Sequence, residues 1–136
     1  MFDEPRRRAR LEQQGAHTEV GMARIVVADN DPDALDLALT DLRLEGHEVF
    51  GAIDAADAES LVGSVAPDVL VLDHRMPPGI SGLDLAERLR TSAPDLRVVI
   101  YSNYQRVELR ARAARIGVPF LAKGNLRALR AAVQPR

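Results

Sequence analysis

Cysteine is absent from the 136 residues, which excludes disulfides, thiolate metal sites and thiol nucleophiles. Tryptophan is absent as well, and two Tyr and three Phe are too few rings for a base-stacking platform. Apolar runs stop at four or five residues, far short of the ~20 that a membrane-spanning helix needs. No apolar stretch follows the N-terminal arginines, so the start does not read as a secretory signal. A net charge of −2 leaves no basic footprint for non-specific nucleic-acid binding. What is left is the composition of one soluble domain, 46% apolar and 28% charged. The expectation is a cytoplasmic chain with no membrane and no direct nucleic-acid partner.

Lysine is nearly absent too. Of 18 basic residues 17 are arginine, and Lys123 is the only lysine. A compositional bias alone explains arginines on a solvated surface. The one ammonium that survives it is a candidate for a task that the broad guanidinium fork cannot perform.

Residues 1–22 carry a basic cluster, Arg6 to Arg8 with Arg10, and little apolar material. They read as a leader, disordered or partly helical, with a basic arm for a partner as the alternative. Arg24 to Ala28 then reads as a buried strand followed by Asp29-Asn30-Asp31. Asp31 suits a helix N-cap with Pro32 at the first helical position, and Gly46 suits the stop. Leu35, Ala38, Leu39 and Leu42 recur at helical spacing between them. A short strand over 47–52 and a helix over about 54–66 come next.

The third strand is Val69-Leu70-Val71-Leu72, which runs straight into Asp73 and a Pro/Gly-rich loop. Helix three begins near Ser81 or Gly82, and strand four spans Arg97 to Tyr101 and ends at Ser102. Helix four covers about 105–116, with Val107, Ala111 and Ala114 expected to face inward and Arg106, Arg110, Arg112 and Arg115 outward. Phe120 to Ala122 makes a fifth strand ending at Lys123, and Leu126, Leu129 and Val133 mark a last helix. Unbroken apolar strands alternating with amphipathic helices imply an α/β fold with a parallel sheet covered on both faces.

In such a sheet all strands end on one edge, where ligands bind. Asp29, Asn30 and Asp31 follow strand one, Asp73 strand three, Ser102 strand four and Lys123 strand five. Each alone reads equally well as a cap or turn residue. Together they describe two acids for a hard divalent cation such as Mg²⁺, with a hydroxyl and an ammonium for an anion. That is a phosphoryl site with Asp73 as candidate nucleophile.

Residues 23–134 resemble the receiver domains of two-component response regulators. The resemblance rests on Ile25 to Pro32, on Val69 to Pro77 with Gly82, on Val98 to Ser102, and on Phe120 to Lys123. It implies a flavodoxin-like doubly wound (βα)5 fold with sheet order 2-1-3-4-5. It implies that Asp73 accepts a phosphoryl group from a histidine kinase or phosphotransfer protein, and that the chain is not otherwise an enzyme. Asp29, Asn30, Asp73 and the Arg75 backbone carbonyl would hold Mg²⁺. Ser102 would be the switch hydroxyl, Phe120 the aromatic that turns with it, and Lys123 the phosphoryl contact. Output would pass to a partner through the helix four–strand five–helix five face, with phosphorylation-linked dimerisation as a further expectation.

The sequence departs from that pattern at five residues. Asn30 stands where an acid is usual, which predicts weaker Mg²⁺ binding. Asn103 replaces a small residue, and Arg75 and Tyr104 are large at two positions that tune dephosphorylation in the family. Gly124 stands where proline is common, so a trans bond or a reshaped loop is expected. These departures keep a second reading open, a receiver-like interaction module that is not phosphorylated. A small Mg²⁺-dependent phosphatase is a third, disfavoured because Arg75 stands where such enzymes generally carry a second acid.

Overall fold

Val, Ile and Leu fill the strands because both faces of the sheet are covered. The computed structural model describes residues 23–135, so the expectation for the leader at 1–22 lies outside the described residues. Five strands alternate with five helices: β1 (Arg24–Ala28), α1 (Pro32–Leu44), β2 (Glu48–Ala52), α2 (Ala55–Val65), β3 (Val69–Leu72), α3 (Gly82–Ser92), β4 (Arg97–Ser102), α4 (Val107–Arg115), β5 (Phe120–Ala122) and α5 (Leu126–Ala132). All pairings are parallel and the order is β2-β1-β3-β4-β5, as expected.

Alternate residues of each strand serve different layers. Val26 and Ala28 of β1 pack with Leu70 and Leu72 of β3 and with α2, α3 and Ala113 of α4. Ile25 and Val27 pack on the opposite face with Ala38 and Leu42 of α1 and Leu129 of α5. The predicted starts at Asp31, Asp54 and Ser81 are present, and there and at Asn125 the side chain accepts a backbone N–H at the head of a helix. Gly46 takes φ +97° just past α1, the left-handed stop that glycine permits.

One helix face is corrected. In α4 the inward residues are Leu109 and Ala113, continued by Ile116, while Val107 is 79% exposed and Ala111 and Ala114 are exposed. Both stripes are apolar at i, i+4 and i+7, so period alone does not choose between them. The larger Leu and Ile side chains win the core, since burial scales with apolar area. That rotation turns Arg112 toward α3, where its guanidinium binds Asp84 at 2.7 Å and Glu87 at 2.8 Å. Arg106 and Arg110 remain outside.

Among the described residues no helix is long and apolar enough to cross a membrane.

Candidate functional site

Ala28 of β1 lies in register with Leu72 of β3, so Asp29 and Asp73 leave the sheet side by side. The ladder continues one step beyond the strands and fixes both backbones. Asp29 N–H donates to the Ala52 carbonyl, and Asp73 N–H to the Ala28 carbonyl, each at 3.0 Å. Lys123 arrives from β5 and closes the group. Its Nζ donates to Asp29 Oδ2 at 2.8 Å and to Asp73 Oδ2 at 2.9 Å. The other oxygens accept backbone N–H groups, Asp29 Oδ1 from Asp31 at 2.9 Å and Asp73 Oδ1 from His74 at 2.7 Å.

Burial makes this a demanding electrostatic arrangement. Asp29 is 3% and Asp73 6% exposed. Burial raises the Asp29 pKa above the ordinary carboxylate value, and the Asp73 charge adds to the rise. The hydrogen bonds from Lys123 and Asp31 pull the other way without cancelling it. Burial also opposes the Lys123 charge, but its bonds to Asp29 and Asp73 outweigh that and raise its pKa. With both carboxylates ionised, one ammonium leaves a net charge of −1 in a nearly closed site. Oxygen donors with surplus negative charge fit a hard divalent cation that keeps part of its water shell. Asn30 is exposed on the loop beside Asp29, and its side chain is a neutral amide. Among the described residues no cluster of three or more acids, His or Cys is arranged for a metal.

Ser102 is fully buried at the end of β4. Its Oγ accepts the Tyr104 N–H at 3.1 Å, and its carbonyl accepts the Lys123 N–H at 3.0 Å. Phe120 is half-buried, packed beside the α3 and α4 core, with the Arg110 guanidinium 5.2 Å from its ring centroid. Arg75 lies 5.2 Å from the Tyr104 centroid and donates to its hydroxyl at 3.2 Å, forming a cation–π contact. Asp31 is exposed, and its carboxylate caps α1.

Several supporting residues were not legible as such. Gln105 donates from Nε2 to the Ser102 carbonyl at 2.8 Å and accepts from Arg110, which links the end of β4 to the cation over Phe120. Tyr101 accepts the Gly124 N–H at 2.8 Å. The available signal was a tyrosine inside a buried apolar run, because a buried phenol needs a polar partner. Gly82 opens α3 as expected, and a Cβ there would stand 2.0 Å from the Asp73 carbonyl oxygen. Its N–H donates to the His74 carbonyl at 2.7 Å, so only glycine lets α3 begin against the Asp73 backbone. The bond before Gly124 is trans, as expected, and Gly124 has φ +97°.

The response regulator receiver domain model matches residues 25–134. The transcriptional regulatory protein PrrA of Mycobacterium leprae is 35% identical over 100 residues, 74% of this chain and 42% of PrrA. The chain thus spans well under half the length of that relative. Among solved structures, the receiver domain of Francisella response regulator 1452 is similar with TM-score 0.75 and 26% identity, over 82% of this chain and 93% of that one. NtrX from Brucella abortus matches with TM-score 0.74 and 29% identity, over 82% of this chain and 27% of NtrX. Strand order, edge cluster and family match agree: the chain belongs to the receiver domains of response regulators.

Proposed function

We propose that residues 23–134 are a phosphoacceptor unit and that Asp73 takes the phosphoryl group. The observation that carries this reading is the ammonium of Lys123 held between Asp29 and Asp73. An Asp73 carboxylate oxygen attacks phosphorus in line, and the bond to the donor's histidine nitrogen breaks. The donor is a histidine kinase or phosphotransfer protein. Lys123 then turns from the Asp73 carboxylate to a phosphoryl oxygen, and the Ser102 hydroxyl supplies a second donor. Phe120 follows Ser102 inward, which alters the α4–β5–α5 face offered to an output partner.

Asp29, Asn30, Asp73 and the Arg75 carbonyl would hold Mg²⁺, which when bound offsets negative charge on the phosphoryl oxygens. Asp29 supplies most of the charge for it beside Asp73, because Asn30 supplies none. Over the site, the Arg75–Tyr104 pair limits the access of water and lengthens the life of the phosphoaspartate.

Intact-mass spectrometry after acetyl phosphate and Mg²⁺ tests the reading. A phosphoryl adduct is expected in the wild type and none in Asp73→Asn. Absence of an adduct in both, together with no beryllofluoride binding, would establish the unphosphorylated interaction module instead.

A further inference from the structure

Lys123 is useful at the site only if the turn that carries it is fixed, and no proline fixes it. Residues Ala122 to Asn125 close a β-turn, with Asn125 N–H donating to the Ala122 carbonyl at 3.1 Å. Gly124, at the third position, has φ +97°. This is the type II arrangement, whose third residue needs a positive φ. The N–H of that residue is not used by the turn itself. Here it donates to the Tyr101 hydroxyl at 2.8 Å. Tyr101 is 4% exposed, with its ring in the core layer shared with α1 and α5. The turn is therefore pinned to β4 at consecutive residues, Lys123 N–H on the Ser102 carbonyl and Gly124 N–H on the Tyr101 hydroxyl.

We propose that Tyr101 is a positioning residue for Lys123, its hydroxyl seating Gly124 and thereby setting the ammonium between Asp29 and Asp73. A ring clamped in a packed core has few rotamers, so its oxygen is a fixed acceptor where water would be a mobile one. Phenylalanine would fill the same volume without that acceptor. Tyrosine and glycine act as a matched pair. Proline at 124 has neither the N–H nor access to φ +97° and cannot join this turn. The role rests on the reading of Lys123 as the phosphoryl contact.

The single lysine makes the test direct, since protein labelled with [13C]lysine shows one side-chain signal, that of Lys123. In wild type without divalent cations, the ε-methylene protons should be two distinct, motionally restricted resonances. In Tyr101→Phe they should collapse toward the averaged position of free lysine. Asp73 labelling by acetyl phosphate with Mg²⁺ should slow on the order of tenfold, as expected for a displaced catalytic group. Val133→Ala, which weakens the same core layer without touching the turn, should leave both readouts at wild-type values. The proposal is overturned if either readout stays at its wild-type value in Tyr101→Phe, or if both change equally in Val133→Ala. Should the wild type take no phosphoryl group at all, the phosphoacceptor reading fails separately and the lysine signal alone judges the positioning.

Discussion

Restoring a charge at position 30 should tighten Mg²⁺ binding about tenfold or more. The site holds two nearly buried carboxylates and one ammonium, so a divalent cation meets a net charge of −1. Asn30→Asp raises this to −2. A unit charge about 4 Å from a divalent cation interacts by ~2 kcal/mol in bulk water and ~8 kcal/mol at an effective dielectric near 20. Asn30 is exposed, which places its carboxylate replacement near the lower figure. About 1.4 kcal/mol corresponds to tenfold in affinity. With no tryptophan in the chain, isothermal titration calorimetry is the suitable measurement. The gain should shrink as ionic strength rises, because an exposed charge is screened within about a Debye length. Without metal the variant should be less stable than wild type, and added Mg²⁺ should recover the difference by mass action. An unchanged dissociation constant, or a gain indifferent to salt, would refute the electrostatic reasoning.

Gly82→Ala should cost about 1–3 kcal/mol in urea unfolding, since its Cβ would overlap the Asp73 carbonyl oxygen and force the loop to move. An unchanged midpoint would contradict the close-approach account. His47 is buried, and its Nδ1 accepts the Ala23 N–H at 3.0 Å. Burial lowers its pKa from 6.5. The folded state prefers the neutral ring, so this stability is present above 6.5 and lost as pH falls through the lowered value. His47→Asn keeps an acceptor but does not titrate, so its loss of stability toward acid pH should be shallower than in wild type. Equal slopes would remove His47 from the pH dependence. Replacing both Arg75 and Tyr104 by alanine should shorten the phosphoaspartate lifetime severalfold, followed by decay of the adduct mass. A wild-type lifetime would count against the water-excluding pair.

The strands and most helix starts were legible because their signals are local. Val69 to Leu72 is a four-residue apolar run of the kind only a doubly covered strand tolerates, and Asp31-Pro32 is a cap and first turn. Knowing that the strands were parallel was enough to bring Asp29, Asp73 and Lys123 to one edge. The inward face of α4 was not legible, because VELRARAARI carries two apolar stripes and packing volume decides between them. The Tyr101–Gly124 bond joins residues 23 apart through a hydroxyl, so no periodicity announces it. Gly82 illustrates the same limit. Its place at the head of α3 was visible, but the 2.0 Å approach to Asp73 depends on how α3 meets β3.

The five departures from the family pattern share a physical property that bears on what they change. Asn30, Arg75, Asn103, Tyr104 and Gly124 all lie in exposed loops beyond strand ends. None interrupts the ladder that fixes Asp29 and Asp73, nor the core beneath them. The Asp73 backbone stays fixed by the Ala28 carbonyl, and one carboxylate oxygen by the His74 N–H, while the other is held by Lys123. What a substitution there alters is the charge facing a cation at residue 30, the cover over the site at 75 and 104, and the mounting of the ammonium at 124. On the proposed phosphoacceptor reading, those three quantities govern metal affinity, the lifetime of the acyl phosphate and the placement of Lys123. Chemistry at Asp73 can on that reading be retained while its timing changes, and because Lys123 binds both Asp29 and Asp73, changes at 30 and at 124 act on shared partners and should not add.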